Sequence, residues 1–418
     1  MLDINFIRQQ PQQVKDACKN KQLDDAIVDQ LLSIDEQRRK LQIEVDDWRK
    51  QSNQNAVAIK QEVAEGKSVN QELIERGKLI KEELKKREPQ LSEVEAQFSE
   101  LMLAIPNVPT SDTPIGSDES FNQVVREEGQ IPHFDFPVLD HQELMEGLDW
   151  LDTKRAVKIA GFRAYFLKND ALLLERALLN YALDLMRAQG FTLLSVPTLV
   201  KKEAMIGTGY FPWGKEDHYY TQDGQILAGT AEVALTAYHQ NELLREKDLP
   251  IKLCGISPCY RREIGAHGKD TKGIIRVHQF NKVEQVVLTI ADEQETQHWH
   301  ELMLNFAEEL LKNLGLPYRV VAMCSGDMGA GQRKKYDIET WFPSQETYRE
   351  THSASYFNDF QSRRLNIRYQ AKDGSIKYVY TLNNTMAASP RLLAAIIENY
   401  QQKDATIEIP KKLKKYFA

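Results

Sequence analysis

Cysteine is scarce in this sequence and its hydrophobic runs are short, and these two shortages exclude several classes of protein. The four cysteines, at positions 18, 254, 259 and 324, match neither a disulfide framework nor the ligand spacing of a zinc site. No apolar run approaches the ~20 residues needed to span a bilayer. The N-terminus, MLDINFIRQQ, lacks the basic start and apolar core of a signal peptide. We therefore expect reduced, packed cysteines and a cytoplasmic protein with no membrane contact.

An excess of positive charge is also missing. The 418 residues carry a formal net charge of −7, so any site for a polyanion must be local. Neither GxxxxGK[ST] nor GxGxxG occurs, so a bound nucleotide would be held outside the P-loop and Rossmann designs. The length and the 42% hydrophobic content suit a globular protein of two or three domains.

Residues 24–105 are polar, poor in Pro and Gly, and nearly free of aromatics. Apolar residues recur there in alternating steps of three and four, which predicts two long helices with a narrow apolar seam. The polar break AEGKSVN between them predicts an antiparallel hairpin, an arm of roughly 50 Å. Pro89 predicts a kink or a restart of the second helix, and Gly77 weakens its seam. The expected seam positions are Ile27, Leu31, Ile34, Leu41, Val45, Trp48, Ile59, Leu73, Ile80, Leu84, Leu91, Val94, Phe98, Leu101 and Ile105.

The charges of this arm leave two interpretations open. Residues 24–105 hold 13 basic and 18 acidic side chains, which is typical of a solvated coiled coil that contacts another protein. The basic clusters RRK at 38–40 and KKR at 85–87 would instead allow local contact with phosphates.

The remaining chain differs from the arm in composition and in its predicted secondary structure. Residues 106–120, PNVPTSDTPIGSDES, read as a linker. Beyond it, helical stretches alternate with strand-like runs, several of which are joined by short polar turns. This pattern predicts an α+β fold, a mostly antiparallel sheet with flanking helices. We therefore expect an arm at 1–105, a linker at 106–120 and a second domain at 121–418.

One predicted hairpin, CYRREIGAHGKDTKGIIRVHQFNKVE at 259–284, concentrates charge on its strands. Arg261 and Glu263 lie two residues apart and so share a strand face, and Arg276, Phe280 and Glu284 share one on the return strand. Guanidinium groups for phosphates and a ring for a base would suit a nucleoside triphosphate. The alternative is a solvated hairpin whose ion pairs contribute under ~1 kcal/mol each. Spacing alone favours neither.

Two later segments carry further candidates. In YDIETWFPSQETYRETHS, residues 336–353, Glu339 and Glu350 are either Mg²⁺ ligands or surface acids. In TLNNTMAASPRLLAAIIENYQ, Pro390 begins a helix and directs Arg391 back toward the preceding strand. Taken alone, such an arginine is usually an ion-pair partner.

Together, and in this order, these segments resemble the bacterial-type seryl-tRNA synthetases, which are class II aminoacyl-tRNA synthetases, over essentially the whole chain. GFTLLSVPTLV resembles motif 1, the hairpin at 259–284 resembles motif 2, and TLNNTMAASPRLLAAIIENYQ resembles motif 3. LAGTAEVALT resembles the family's TxE loop. The resemblance implies a class II catalytic domain at 121–418 behind a tRNA-binding arm. It also implies a cytoplasmic homodimer that attaches L-serine to tRNA(Ser), and to tRNA(Sec) as a second acceptor, through a seryl-adenylate made from ATP with Mg²⁺.

The resemblance also implies roles for individual residues. Arg261, Glu350 and Arg391 would be catalytic, and Glu350 and Ser353 would bind Mg²⁺. The ATP-binding residues would be Arg261, Arg262, Glu263, Arg276, Phe280, Glu350, Thr351, His352, Ser353 and Arg391. The serine-binding residues would be Thr230, Ala231, Glu232, Arg261, Glu284, Asn383 and Thr385. The loop IGAHGKDTKG, with an unexplained His267, would move or order when ATP and the tRNA end bind.

The chain departs from the family pattern at a few positions. Asn384 and Thr385 stand where the family usually has Gly and Ser, Ala354 replaces a Cys, and Gly229 replaces a Pro. Three alternative functions remain: a ligase that loads an amino acid onto a carrier protein, a catalytically silent paralogue that acts as a binding protein, and a coiled-coil interaction protein. The intact arm disfavours the first, the presence of Arg261 and Arg391 disfavours the second, and the ordered motifs disfavour the third.

Overall fold

The computed structural model describes residues 1–264, 270 and 272–417, which form two compact units. One unit contains Leu2–Lys19 and Leu23–Ile105, and the other contains Met1, Asn20–Gln22 and the chain from Pro106 onward. Most of the loop predicted to move, including His267, lies outside the described residues. Within the described residues, no helix has the length and apolar content needed to cross a membrane.

The described residues contain twelve α-helices. Their bounds are α1 Ile4–Gln9, α2 Pro11–Asn20, α3 Ala26–Ala64, α4 Gln71–Ala104, α5 His141–Gly147, α6 Thr153–Ala160, α7 Asp170–Ala188, α8 Lys202–Thr208, α9 Glu232–Thr236, α10 Glu293–Leu314, α11 Phe360–Leu365 and α12 Ser389–Asn399.

Sixteen strands lie in the same described part of the chain. They are β1 Gln123–Glu128, β2 Leu151–Asp152, β3 Phe166–Leu167, β4 Thr192–Ser195, β5 Leu199–Val200, β6 Tyr219–Tyr220, β7 Ile226–Leu227, β8 Leu243–Arg245, β9 Ile251–Tyr260, β10 Gln279–Thr289, β11 Tyr318–Ala322, β12 Lys334–Phe342, β13 Thr347–Asn358, β14 Arg368–Gln370, β15 Ile376–Tyr378 and β16 Tyr380–Ala388.

The predicted helical hairpin is present in the first unit. Helices α3 and α4 are 39 and 34 residues long, and the break between them falls at the predicted AEGKSVN segment. At ~1.5 Å per residue, α3 spans roughly 58 Å. Several expected seam residues are buried, among them Leu31, Val45, Ile80 and Leu91. Val28, rather than the expected Ile27, is the buried residue at the start of the seam.

Two polar residues interrupt the apolar seam, and each has a local reason. Asp35 is buried and forms ion pairs with Arg8 and Arg38. Asn55 is buried and donates from Nδ2 to the carbonyl oxygen of Leu73 at 3.0 Å. A Cβ at Gly77 would lie 3.2 Å from that Nδ2, so the glycine makes room for the amide.

Pro89 does not begin a new helix. It lies inside the single helix α4, so of the two predicted alternatives, a kink or a restart, the restart is wrong. Proline removes one backbone donor and crowds the preceding turn. The residues on both sides of Pro89 are exposed, so water can solvate the carbonyl that loses its partner.

The second unit is built on an eight-stranded sheet of order β1-β11-β12-β13-β16-β10-β9-β4. Every pairing in it is antiparallel except β4 with β9, which confirms the predicted α+β fold. Helices α7, α10 and α12 join the strands in one large hydrophobic core. Because side chains alternate along a strand, the residues between those core positions form a separate polar face.

All four cysteines are free and buried, which confirms the expectation of reduced, packed thiols.

Candidate active site

The charged hairpin differs from its prediction in one respect. Strand β9 ends at Tyr260 and β10 begins at Gln279, so Arg261, Glu263 and Arg276 lie in the connecting loop rather than on paired strands. The last backbone bond runs from Arg261 N to His278 O at 2.9 Å. Beyond it Glu263 has a φ of 54°, a left-handed conformation incompatible with a continued strand. Of the predicted charged and aromatic residues, Phe280 and Glu284 are on β10.

Three segments far apart in sequence nevertheless meet at one cavity of about 60 Å³. They are the 261–282 hairpin, the start of β13, and the junction of β16 with α12. Eight of the predicted site residues line the cavity, namely Arg261, Glu263, Arg276, Phe280, Glu350, Thr351, Thr385 and Arg391.

Each arginine of the cavity already has an acceptor or a ring as a neighbour. Arg276 donates to Glu263 at 2.7 Å, and Arg391 donates from Nη1 to the Glu350 carboxylate at 3.0 Å. The Arg261 guanidinium lies 5.3 Å from the centre of the Phe280 ring. These contacts hold three cations on the wall of one small space, where they can exchange carboxylate and carbonyl acceptors for phosphate oxygens.

Glu350 is the carboxylate most affected by this concentration of cations. Its side chain is 45% accessible, yet crowding by protein atoms still opposes its ionisation. The positive charges of Arg391, Lys335 and Arg261 outweigh the crowding and lower the pKa of Glu350 to about 2. The carboxylate is therefore ionised at any physiological pH.

A second, deeper group of polar residues adjoins the cavity. Glu284 on β10 lies opposite Thr385 on β16, and it forms an ion pair with Lys282. Lys282 also donates to the Thr230 hydroxyl at 2.7 Å. Burial raises the pKa of Glu284, and the charge of Lys282 opposes that rise. The group combines a buried carboxylate with two hydroxyls, which suits a small ligand with an ammonium and a hydroxyl group.

Ala231 and Glu232 belong to the wall behind this group. Glu232 begins α9, and its carboxylate accepts hydrogen bonds from the Tyr210 hydroxyl at 2.7 Å and from Gln361 Nε2 at 2.9 Å. Burial raises the pKa of Glu232. Ala231 is the buried residue before the helix.

The neighbours at the centre of β16 face different ways. Asn383 and Thr385 lie two residues apart and share the polar face, whereas Asn384 donates to the Met303 carbonyl of α10 at 2.7 Å. Asn384, which departs from the family pattern, therefore belongs to the helix-covered face and makes no contribution to the polar group.

Four predicted residues, Arg262, His352, Ser353 and Glu339, are not among those that line the cavity. Arg262 donates to the Glu216 carbonyl at 3.0 Å. The Thr351 hydroxyl is 2.9 Å from Nδ1 of the buried His352 and 2.7 Å from the Thr340 hydroxyl of β12, so it helps join β13 to β12. Ser353 lies opposite Asp337 of β12. Glu339, the other candidate metal ligand, forms an ion pair with Arg319.

Sequence reasoning missed three residues of this site. Lys282 precedes Glu284 by two positions, so strand periodicity alone would have placed both side chains on one face. Tyr210 and Gln361 contact Glu232 from distant segments, and no local pattern in the sequence indicates this.

The oxygen donors of Glu350 and Ser353 fit a hard cation such as Mg²⁺. No group of three or more His, Cys, Asp or Glu side chains suited to a metal occurs within the described residues. A cation here would therefore take part of its coordination from phosphate oxygens and water, as Mg²⁺ usually does.

Family models match both parts of the chain. Residues 1–109 match the seryl-tRNA synthetase N-terminal domain, and residues 218–400 match the tRNA synthetase class II core domain (G, H, P, S and T). Among curated relatives, a serine–tRNA ligase of Deinococcus radiodurans is 44% identical, covering 100% of this chain and 97% of the relative. One from Nitrosopumilus maritimus is 39% identical, with coverage of 100% and 98%.

Solved structures give the same picture. The seryl-tRNA synthetase of Pyrococcus horikoshii, complexed with ATP, aligns with a TM-score of 0.92 and 37% identity over 100% of this chain and 98% of that one. The cytoplasmic serine–tRNA ligase of Naegleria fowleri, in complex with AMP, aligns with a TM-score of 0.87 and 31% identity, covering 100% and 97%. A Giardia lamblia prolyl-tRNA synthetase, at 15% identity and a TM-score of 0.58, shares the fold alone, over 66% of this chain and 56% of that one.

Proposed function

The chain belongs to the seryl-tRNA synthetase family, and from that premise we propose how its residues carry out the family's reaction. It is a class II aminoacyl-tRNA synthetase, a ligase that uses ATP to attach serine to tRNA. The observation that carries the assignment of residues is the convergence of motif 2, the start of β13 and motif 3 on one cavity.

The reaction has two steps. A carboxylate oxygen of serine attacks the α-phosphorus of ATP, the bond to pyrophosphate breaks, and seryl-adenylate forms. A ribose hydroxyl at the tRNA end then attacks the acyl carbon, and AMP leaves with the oxygen of the mixed anhydride. No covalent enzyme nucleophile is needed, so the protein contributes position and charge neutralisation.

ATP binds among the arginines of the cavity. Arg261 holds the α-phosphate and the serine carboxylate, and Arg276 and Arg391 bind the remaining phosphates. Adenine lies between Phe280 and Arg391, and Glu263 accepts a hydrogen bond from its amino group. Bidentate guanidinium contacts hold the attacking and leaving oxygens in line. Arg262, Thr351, His352 and Ser353 support the ATP site from the loop and from β13.

Serine binds in the deeper polar group. Glu284 accepts the substrate ammonium, and the Thr230 and Thr385 hydroxyls, with Asn383, surround the substrate side chain. Ala231 and Glu232 close the pocket. A buried site that hydrogen-bonds the serine hydroxyl rejects alanine strongly, because alanine leaves those groups without partners.

Glu350 and Ser353 would hold Mg²⁺, and a bound Mg²⁺ would supply neutralisation of the phosphate charge. The depressed pKa of Glu350 supports this role, because a hard cation needs an ionised carboxylate.

We propose a division into an arm at 1–105, a linker at 106–120 and a catalytic domain at 121–418. The helical hairpin docks on the long variable arm of tRNA(Ser) and recognises the shape and backbone of the RNA more than its base sequence. Lys85 and Lys86 of the KKR cluster are exposed, which leaves them accessible to phosphates. Charging of tRNA(Sec) is a further proposal of the same kind.

We also propose a cytoplasmic homodimer. Support comes from a groove of about 710 Å³ beside the motif 1 segment, lined largely by apolar residues from 194–204 and 234–241. Leu199 and Tyr238 are 46% and 57% exposed there, beside the edge strand β4. Exposed apolar patches of this kind usually mark protein interfaces.

Serine-dependent ATP–pyrophosphate exchange by the purified full chain tests the assignment. We expect exchange with serine, and at least a hundredfold less with alanine. Glu284→Gln should lose exchange because it removes the charge that binds the ammonium, whereas Glu339→Gln, which breaks an ion pair outside the cavity, should retain it. Equal exchange by both variants would refute the pocket assignment.

A further inference from the structure

Two charged residues on β12 lie beside the proposed metal ligands without any role in the reaction as assigned so far. Lys335 Nζ is 2.9 Å from Asp337 Oδ2, and the two side chains are only 16% and 5% exposed. They lie two residues apart on one strand and therefore share its face. Asp337 is directly opposite Ser353, the residue that is proposed to bind the metal together with Glu350.

The pair is poorly explained as a stabilising ion pair. Burying two opposite charges removes their hydration, and the mutual attraction repays that loss only when the remaining polar atoms are also satisfied. Asp337 Oδ1 is buried and makes no hydrogen bond of good geometry to any residue that the structure describes. Burial raises the pKa of Asp337, and the Lys335 ammonium and the nearby Ser353 hydroxyl only partly oppose that rise. An orphaned, buried carboxylate oxygen indicates a partner from outside the chain.

The surrounding charges indicate what that partner is. Lys335 experiences the negative charges of Asp337, Glu350 and Asp327, and Glu350 experiences the positive charges of Arg391, Lys335 and Arg261. The Lys335–Asp337 pair thus belongs electrostatically to the same site as Glu350. Mg²⁺ in protein sites retains several waters, and these waters donate hydrogen bonds to carboxylates around the metal.

We propose that Lys335 and Asp337 are positioning residues for the divalent cation held by Glu350 and Ser353. Asp337 orients the Ser353 hydroxyl and accepts a hydrogen bond from a water bound to the metal, and Lys335 fixes the Asp337 carboxylate in place. This inference rests on the proposed function, because that function supplies the cation and the nucleotide.

The test measures metal binding directly. Mn²⁺ is titrated into the full-length protein with a non-hydrolysable ATP analogue, and free Mn²⁺ is followed by electron paramagnetic resonance. Because partners of metal ligands typically affect affinity 10–100-fold, we expect Asp337→Asn to weaken Mn²⁺ binding at least tenfold. Lys335→Met should also weaken binding, and Lys335→Arg should restore most of it.

Lys334→Met is the matched control. Lys334 is the adjacent lysine of the same strand, but it pairs with Asp112 of the predicted linker segment instead of Asp337. We expect Mn²⁺ affinity within twofold of wild type for this variant. Equal Mn²⁺ affinity in Asp337→Asn, Lys334→Met and the wild type would overturn the inference.

A double-mutant cycle separates positioning from general structural damage. If Asp337 acts through Ser353, the losses from Asp337→Asn and Ser353→Ala will not add, whereas independent sites would give additive losses and contradict the proposal. If Asp337→Asn does not fold, Lys335→Met replaces it in the cycle. Wild-type exchange activity is measured in parallel: its absence would refute the proposed function, and its presence with unchanged Mn²⁺ affinities refutes only this inference.

Discussion

At the scale of single residues, the site places its charges in two layers. Arg261, Arg276 and Arg391 line the cavity, whereas Glu284 is buried behind it and forms an ion pair with Lys282, which reaches the cavity wall. The outer layer exchanges acceptors readily because its arginines contact carboxylates and carbonyls at the cavity wall. Removing one member of the inner pair is costly, because a buried charge left without its partner destabilises the folded protein by several kcal/mol.

A substitution at Thr385 tests the role of the inner layer in binding serine. Its hydroxyl supports the ionised form of Glu284, and its methyl group occupies space in the proposed serine pocket. We expect Thr385→Ser to keep serine activation but to lower discrimination against threonine roughly tenfold, since one methyl group is worth 10–200-fold in such pockets. Pyrophosphate exchange with each amino acid measures this ratio. An unchanged ratio would place the selectivity for serine elsewhere.

The burial of His300 predicts how the free energy of unfolding depends on pH. It is buried on α10, where Nε2 donates to the Ala354 carbonyl at 3.0 Å and the ring stacks on Tyr336. Burial lowers its pKa to about 4, although the bond to Ala354 opposes that shift. An unfolded histidine has a pKa of about 6.5, so between these values the unfolded chain binds more protons and the free energy of unfolding falls as pH falls.

The expected loss at His300 is about 2 kcal/mol between pH 7 and pH 5. Gln at this position can still donate to Ala354 but does not titrate. The free energy of unfolding of His300→Gln should therefore fall by about 2 kcal/mol less than that of the wild type over this range, as measured by urea denaturation at both pH values. Parallel pH dependences in the two proteins would contradict the buried neutral state.

At the scale of elements, the motif 2 hairpin shows how far sequence reasoning reached. Strand periodicity correctly placed Phe280 and Glu284 on β10, because alternation is a local property. It failed for Arg261, Glu263 and Arg276, which lie in a loop. The conformation of this loop depends on the left-handed backbone of Glu263 and on its ion pair with Arg276, and strand periodicity predicts neither. The roles of Tyr210 and Gln361 could not be predicted from the sequence, because each contacts Glu232 only through the tertiary fold.

The arm was more predictable than the site. Its heptad pattern located both helices and the break between them, because the seam repeats over many turns. Buried Asp35 and Asn55 could not be anticipated in the same way, since each depends on a partner across or beyond the seam.

Deleting residues 30–100 tests the role of the arm. If the arm serves only to bind tRNA, serine-dependent exchange should remain within about twofold of wild type while tRNA charging is abolished. Lys85→Glu/Lys86→Glu is a milder change at an exposed surface and should weaken charging but not exchange. Full charging by the deletion variant would contradict the assigned role.

At the scale of the whole molecule, the edge strand β4 and the groove beside it predict self-association. Light scattering coupled to gel filtration should give twice the mass of the chain. Leu199→Asp places a charge in the groove and should yield monomers, whereas Ile43→Asp, at a 70% exposed arm residue, should leave the mass unchanged. A monomeric wild type would contradict the proposed dimer.

Attachment of serine to tRNA with energy from ATP can be measured in a single assay. The purified protein is incubated with labelled serine, ATP, Mg²⁺ and bulk tRNA, and acid-precipitable label is counted. We predict label that requires both ATP and tRNA and that disappears in Glu284→Gln. No precipitable label from the folded wild-type protein would contradict this function.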